Sequence, residues 1–198
     1  KMVMELLVAD QPPREAAHDP ESELWRYAES QQVAAARFPA RPAAIPDDSH
    51  PAIAVNMDAC IQCNLCVRAC REVQVNDVIG LAGRGADARI VFDFDDDMGA
   101  STCVGCGECV QACPTGALMP KTLLDSTQAL AITPDRKVDS VCPYCGVGCQ
   151  LTFSVKDDTI VAVSGRQGPA NQSRLCVKGR YGIDSVSYTH LTLPTNSG

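Results

Sequence analysis

Residues 60–70 read CIQCNLCVRAC and residues 103–113 read CVGCGECVQAC. Both are C-x2-C-x2-C-x3-C, so Cys60, Cys63, Cys66 and Cys70 recur as Cys103, Cys106, Cys109 and Cys113 after a displacement of 43 residues. Each run crowds three thiols into one tight loop and sets a fourth just beyond it. Gly105 and Gly107 let the second loop bring backbone amides close to whatever the sulfurs hold. Pro114, directly after the last cysteine, ends a helix and fixes the direction of exit. A third group, Cys142, Cys145, Cys149 and Cys176, follows C-x2-C-x3-C-x26-C and stands apart from the repeat.

Thiolates are soft ligands, which narrows their use to iron–sulfur clusters or zinc. A disulfide framework has no need of repeated close triplets, and the chain carries no positive-plus-apolar leader. MVMELLVA at 2–9 is too short and too acidic, through Glu5, for a signal segment or a membrane span. Structural zinc favours two separated cysteine pairs. The doubled run instead has the spacing of paired [4Fe-4S] clusters, in which one loop supplies three thiolates and the fourth serves the other cluster. On that rule Cys60, Cys63, Cys66 and Cys113 hold one cluster, and Cys103, Cys106, Cys109 and Cys70 hold the next. The third group, taken alone, suits a four-cysteine zinc site as well as iron. Beside two clusters it reads as a third [4Fe-4S] site, and the whole as an electron relay.

Around these loops the chain is modest. It has 198 residues, aromatics at 5% with Trp25 the single tryptophan, and a formal charge of -7 that argues against nucleic acid as a partner. The expected fold class is α+β. Residues 1–50 form a helical and proline-rich segment, 51–120 a ferredoxin-like 2[4Fe-4S] domain, 121–137 a linker and 138–184 a small [4Fe-4S] β-hairpin subdomain. Helices are expected over 2–9 and 20–36, the second with an apolar stripe of Leu24, Tyr27 and Val33. Four prolines in 38–51 make that stretch either a linker or a strap over the next domain. A short strand enters the first loop at Ile53–Met57, and Cys66 begins a helix. Val73–Ile79 and Arg89–Phe94 read as a hairpin across LAGRGADA, and residues 150–155 and 159–165 as another. Lys121–Ala131 can form a short helix. The run Asp93, Asp95, Asp96 and Asp97 reads as a solvated turn, and His18 and His50, in polar stretches, as solvated rings. Lys178, two residues beyond Cys176, is either an exposed lysine or a cation serving the third cluster.

HPAIAVNMDACIQCNLCVRACREVQVNDVIG, STCVGCGECVQACPTGAL, VCPYCGVGCQLTFSVKDDTIVAVSG and RLCVKGRYGID together resemble the alpha subunits of soluble NAD-dependent formate dehydrogenases, over about residues 48–184. These belong to the oxidoreductases that carry molybdenum or tungsten on a bis-pyranopterin guanine dinucleotide. The resemblance implies that the third cluster lies nearest the pterin, that Lys178 stands between the two, and that the paired clusters pass electrons to flavin and iron–sulfur partner subunits that reduce NAD. It also implies formate as substrate; the dense cysteines without a signal segment point to a reducing cytoplasm. The family's metal-ligating residue and its catalytic histidine and arginine fall beyond Asp184, so this segment by itself is not expected to oxidise formate. Residues 1–59 hold no cysteine, unlike family members that begin with a [2Fe-2S] domain and a further His/Cys3 cluster. Both ends read as cut, and Ser185–Gly198, with His190, reads as a non-native tail. Other expected homes for the same residues are another molybdopterin oxidoreductase or the large subunit of an NADH or hydrogenase complex. A free-standing polyferredoxin and a zinc-stabilised interaction module are the alternatives outside that group.

Overall fold

The computed structural model describes residues 1–125 and 130–183; the expected tail lies outside them. Helix α1 (Met2–Ala9) and helix α2 (Glu23–Ser30) pair at the N-terminus and enclose a small core of Val8, Ala17, Trp25, Ala28 and Val33. α2 is shorter than the expected 20–36, because Gln32 turns into the left-handed region at φ 55°. Its buried stripe is Leu24, Trp25 and Ala28, while Tyr27 is exposed, contrary to the expected stripe.

His18 and His50 are buried, not solvated. His18 Nε2 meets the Asn56 side-chain amide. His50 Nδ1 accepts the N–H groups of Ala52 and Ile53, each at 3.2 Å. Both rings satisfy backbone or amide donors that burial would otherwise leave without partners, which a polar sequence context does not reveal.

The proline-rich stretch is a strap. Asp47 pairs with Val55 through two backbone hydrogen bonds of 2.9 and 3.0 Å, and the Ala44 N–H reaches the Asp58 carboxylate. Beneath it run β1 (Ile53–Val55), α3 (Leu65–Arg68), a wider turn over Ala69–Val73, β2 (Ile79–Ala82), β3 (Arg89–Phe92), α4 (Glu108–Ala112) and β4 (Leu118–Pro120). β1 and β4 pair antiparallel, Ile53 opposite Pro120 and Val55 opposite Leu118, which brings the two ends of the repeat together. β2 and β3 form the expected hairpin, but β2 starts six residues late. Val75 and Asp77 take left-handed backbone at φ 57° and 54°, which an extended strand does not allow, so the pairing shifts into the glycine-rich segment. Ile53, Val55, Val78, Ile79, Phe92 and Leu118 fill the core, together with Cys70 and Cys109.

The third unit is a three-stranded antiparallel sheet, β5 (Arg136–Val141), β6 (Gln150–Lys156) and β7 (Thr159–Gly165), followed by helix α5 (Val177–Tyr181). The expected linker is therefore shorter. β5 was hidden because RKVDSV is an exposed edge strand with no alternation to announce it. Of the expected helix Lys121–Ala131, residues 126–129 lie outside the described residues; the described part holds one 3₁₀ turn, Lys121–Leu123, which gives way to extended backbone at Leu124, and Leu124 bridges to Leu130. Leu151, Val163, Leu175 and Ile183 close a third core around Cys142. Among the described residues no helix is long and apolar enough to cross a membrane.

Candidate metal centres

All twelve cysteines stand as free thiols. Cys60, Cys63, Cys66 and Cys113 line one narrow cleft, walled by Ile61, Ile90 and Leu118. The first three come from the loop ahead of α3 and from α3 itself. Cys113 arrives from the end of α4, 43 residues beyond its counterpart in the repeat. The crossing follows from the fold: once β1 and β4 pair, the chain leaving the second helix returns to the first loop.

The second site is the mirror of this. Cys103, Cys106 and Cys109 surround the start of α4, and Cys70 joins them from the turn after α3. Burial pushes the Cys109 thiol well up, and the neighbouring Cys106, Cys103, Cys66 and Cys70 add to it. Burial likewise raises Cys66 to about 12, with Cys113, Cys60 and Cys63 contributing. Thiols raised by burial and by each other become thiolates only when a cation sits among them, so each set fits an all-sulfur metal centre. No group of three or more His, Cys, Asp or Glu side chains among the described residues is gathered for a single ion.

Donors ring the sulfurs. The N–H of Gln62 reaches Cys60 Sγ and that of Gly105 reaches Cys103 Sγ, both at 3.4 Å. The N–H of Val78 lies 3.3 Å from Cys70 Sγ, and Asn76 Nδ2 lies 3.9 Å from Cys106 Sγ. Such contacts stabilise negative charge on sulfur and raise a cluster's potential.

In the third unit Cys142, Cys145 and Cys149 sit on the β5–β6 connection and Cys176 caps α5. Burial raises the Cys149 thiol, followed by Cys142, Cys145 and Cys176, so the four are neighbours. The Cys142 N–H donates to the Cys149 carbonyl at 2.8 Å and closes the loop. Cys145 and Cys176 are exposed, so this site opens outward. Lys178 is exposed within the first turn of α5.

Sequence reasoning missed three charged residues. Arg41 of the strap donates Nη2 to the carbonyls of Met57 and Cys60, both at 2.8 Å, and so braces the first loop. Glu108 and Arg180 form a buried ion pair beside the second loop. Nothing in their spacing marks them, because their partners lie in distant segments.

Residues 59–117 match the family model described as the 4Fe-4S dicluster domain, and residues 135–188 that of the molybdopterin oxidoreductase Fe4S4 domain. The chain is 37% identical to a subunit of an NADH-quinone oxidoreductase of Rhizobium meliloti (strain 1021), over 69% of this chain and 15% of that protein. It is 31% identical to "Probable oxidoreductase YjgC" of Bacillus subtilis (strain 168), over 75% of this chain and 19% of that one. It is 29% identical to "Putative formate dehydrogenase SH0748" of Staphylococcus haemolyticus (strain JCSC1435), over 74% and 19%. The chain thus spans less than a fifth of the length of these relatives. Among solved structures, an NAD+-reducing [NiFe]-hydrogenase in the H2-reduced state superposes with a TM-score of 0.55 at 25% identity, covering 61% of this chain and 53% of that one. The chain is an α+β pairing of a ferredoxin-like 4Fe-4S dicluster domain with a small β-rich Fe4S4 subdomain, related to molybdopterin oxidoreductases and formate-dehydrogenase-like proteins.

Proposed function

We propose that this chain is the iron–sulfur relay of a larger oxidoreductase, with [4Fe-4S] clusters held by Cys60, Cys63, Cys66 and Cys113, by Cys103, Cys106, Cys109 and Cys70, and by Cys142, Cys145, Cys149 and Cys176. The observation that carries the reading is the crossing of Cys113 into the first cysteine cleft and of Cys70 into the second. Clusters bound there supply one-electron acceptors and donors. The chain's own residues hold them, exclude water with the core of Ile53, Ile79 and Leu118, and aim N–H groups at the sulfurs.

The relatives support the wider family reading, which takes in NADH-quinone oxidoreductase and hydrogenase chains, better than formate dehydrogenase alone. Within that wider reading, formate oxidation coupled to NAD through flavin and iron–sulfur partner subunits is one specific assignment. In it the exposed Lys178, on the helix capped by Cys176, faces a molybdenum or tungsten bis-pyranopterin guanine dinucleotide contributed by the rest of the protein.

The first test is anaerobic reconstitution followed by low-temperature EPR during reductive titration. Interacting signals from the first two sites and a more isolated third support the relay, and a zinc-loaded, EPR-silent chain overturns it. The second offers formate, NADH and H2 separately to the intact enzyme. Formate-driven reduction of the clusters supports the narrow assignment. Reduction by NADH or H2 without any response to formate removes it.

A further inference from the structure

The second cysteine loop and the third unit meet at a closed ion pair. Arg180 Nη2 lies 2.6 Å from Glu108 Oε1, and the side chains are only 4% and 8% exposed. Arg180 also donates Nε to the Cys106 carbonyl at 2.8 Å and Nη1 to Gln111 Oε1 at 2.9 Å. The same Glu108 oxygen accepts the Leu175 N–H at 2.9 Å, next to Cys176. Gln111 completes the seam, accepting the Gly165 N–H at 3.0 Å and donating to the Ser173 carbonyl at 2.8 Å. Gly107 leaves the space: a Cβ there would lie 2.1 Å from Arg180 Cδ.

A buried pair contributes little net stability, since desolvation offsets attraction, but it fixes register strongly because either charge left alone is costly. Here the register is that of the loop holding Cys103, Cys106 and Cys109 against the helix that Cys176 caps. Both charges also lie beside Cys106. Adding an electron to a buried centre adds negative charge, which a nearby cation favours and a nearby anion opposes.

Resting on the relay reading, we propose that Glu108 and Arg180 are positioning residues that lock the second cluster site to the third, and that they bias the potential of the second cluster in opposite directions. Arg180 favours its reduction and Glu108 opposes it, while the first cluster, across the core, is left unchanged.

The test is a reductive EPR titration of the reconstituted whole chain, with the second-cluster signal identified as the one lost in Cys106→Ala. Arg180→Gln is expected to shift that signal's midpoint downward and Glu108→Gln upward, with the first-cluster midpoint unmoved. Hydrogen exchange in residues 103–112 and 174–183 is expected to rise in both variants. Arg180→Lys, which keeps the charge without the fork, should restore the midpoint but not the exchange protection. Shifts of the same sign, or none, overturn the proposal. If Arg180→Gln fails to assemble the site, Arg180→Lys and Glu108→Gln decide: an unchanged midpoint in Glu108→Gln, or no second cluster in Arg180→Lys, overturns it. An unsubstituted chain with no cluster signals marks failure of the relay reading itself.

Discussion

Asn64 and Gly107 enter their helices with the same left-handed backbone, φ 61° and 72° with ψ 11° in both. The match extends to Gln62 and Gly105, at φ 56° and 63°. Two unlike loops thus hold one conformation, which points amides inward at equivalent places. In the second loop glycine adopts it without strain; in the first, asparagine and glutamine bear a cost of about 1–2 kcal/mol each in this region. Gly107→Ala should therefore be far more damaging than Asn64→Gly. The alanine adds left-handed strain and strikes Arg180, whereas Asn64→Gly relieves strain. Iron content per chain and the urea midpoint of each variant measure this, and equal tolerance of both changes would refute it.

Cys70 and Cys113 each sit in the other half's site. Cys70→Ala is expected to abolish the EPR signal that Cys106→Ala abolishes, and Cys113→Ala the signal that Cys63→Ala abolishes. Weaker loss of the neighbouring cluster is expected too, because both sites share one core. If Cys70→Ala grouped with Cys63→Ala instead, the crossed assignment would fail.

Stability should fall on the acid side through the two buried histidines. Burial holds His18 below its ordinary value of 6.5, with Asp58 opposing. Burial also lowers His50, Lys121 adds to this, and Asp47 opposes. The unfolded chain therefore binds protons before the folded one. The contribution is complete above about pH 6.5 and is lost as pH drops below it towards the folded values. Urea midpoints at about pH 8 and about pH 5.5, followed by Trp25 emission, should differ less in His18→Gln than in the unsubstituted chain. An identical difference in both would contradict the assignment.

Leu151 is fully buried at the centre of the third unit. Truncation to alanine is expected to cost about 2–5 kcal/mol. It should loosen the Cys142–Cys149 loop, and with it iron retention at the third site, before the first two are affected. Simultaneous loss of all three sites in a denaturant series would show that the units do not melt separately.

The cysteine groups were legible because their spacing is local: Cys60 to Cys70 lies within one loop and one helical turn. The doubled run already implied that Cys70 and Cys113 change places, as does the packing of Cys113 beside Cys60 and of Cys70 beside Cys106. β6 and β7 were legible from Leu151, Phe153 and Val155 alternating across the pleat. β5 was not, since an edge strand as exposed as Arg136–Val141 buries no face that would impose a pattern. Arg41, Glu108 and Arg180 escaped for a different reason. Arg41 meets carbonyls, Arg180 a carbonyl and a carboxylate, and Glu108 a guanidinium and an N–H, all 16 to 74 residues away, and no local signal encodes such a partner. His18 and His50 show that a polar neighbourhood in sequence can still be an interior position when a buried amide requires a partner, the Asn56 side chain at His18 and the backbone of Ala52 and Ile53 at His50.

The most direct measurement is the elemental composition of the anaerobically reconstituted chain. Three four-iron centres require about twelve iron and about twelve acid-labile sulfide per polypeptide, with a brown chromophore that bleaches on reduction. A colourless product with about three zinc ions and no sulfide, or with its thiols oxidised to disulfides, would contradict the account.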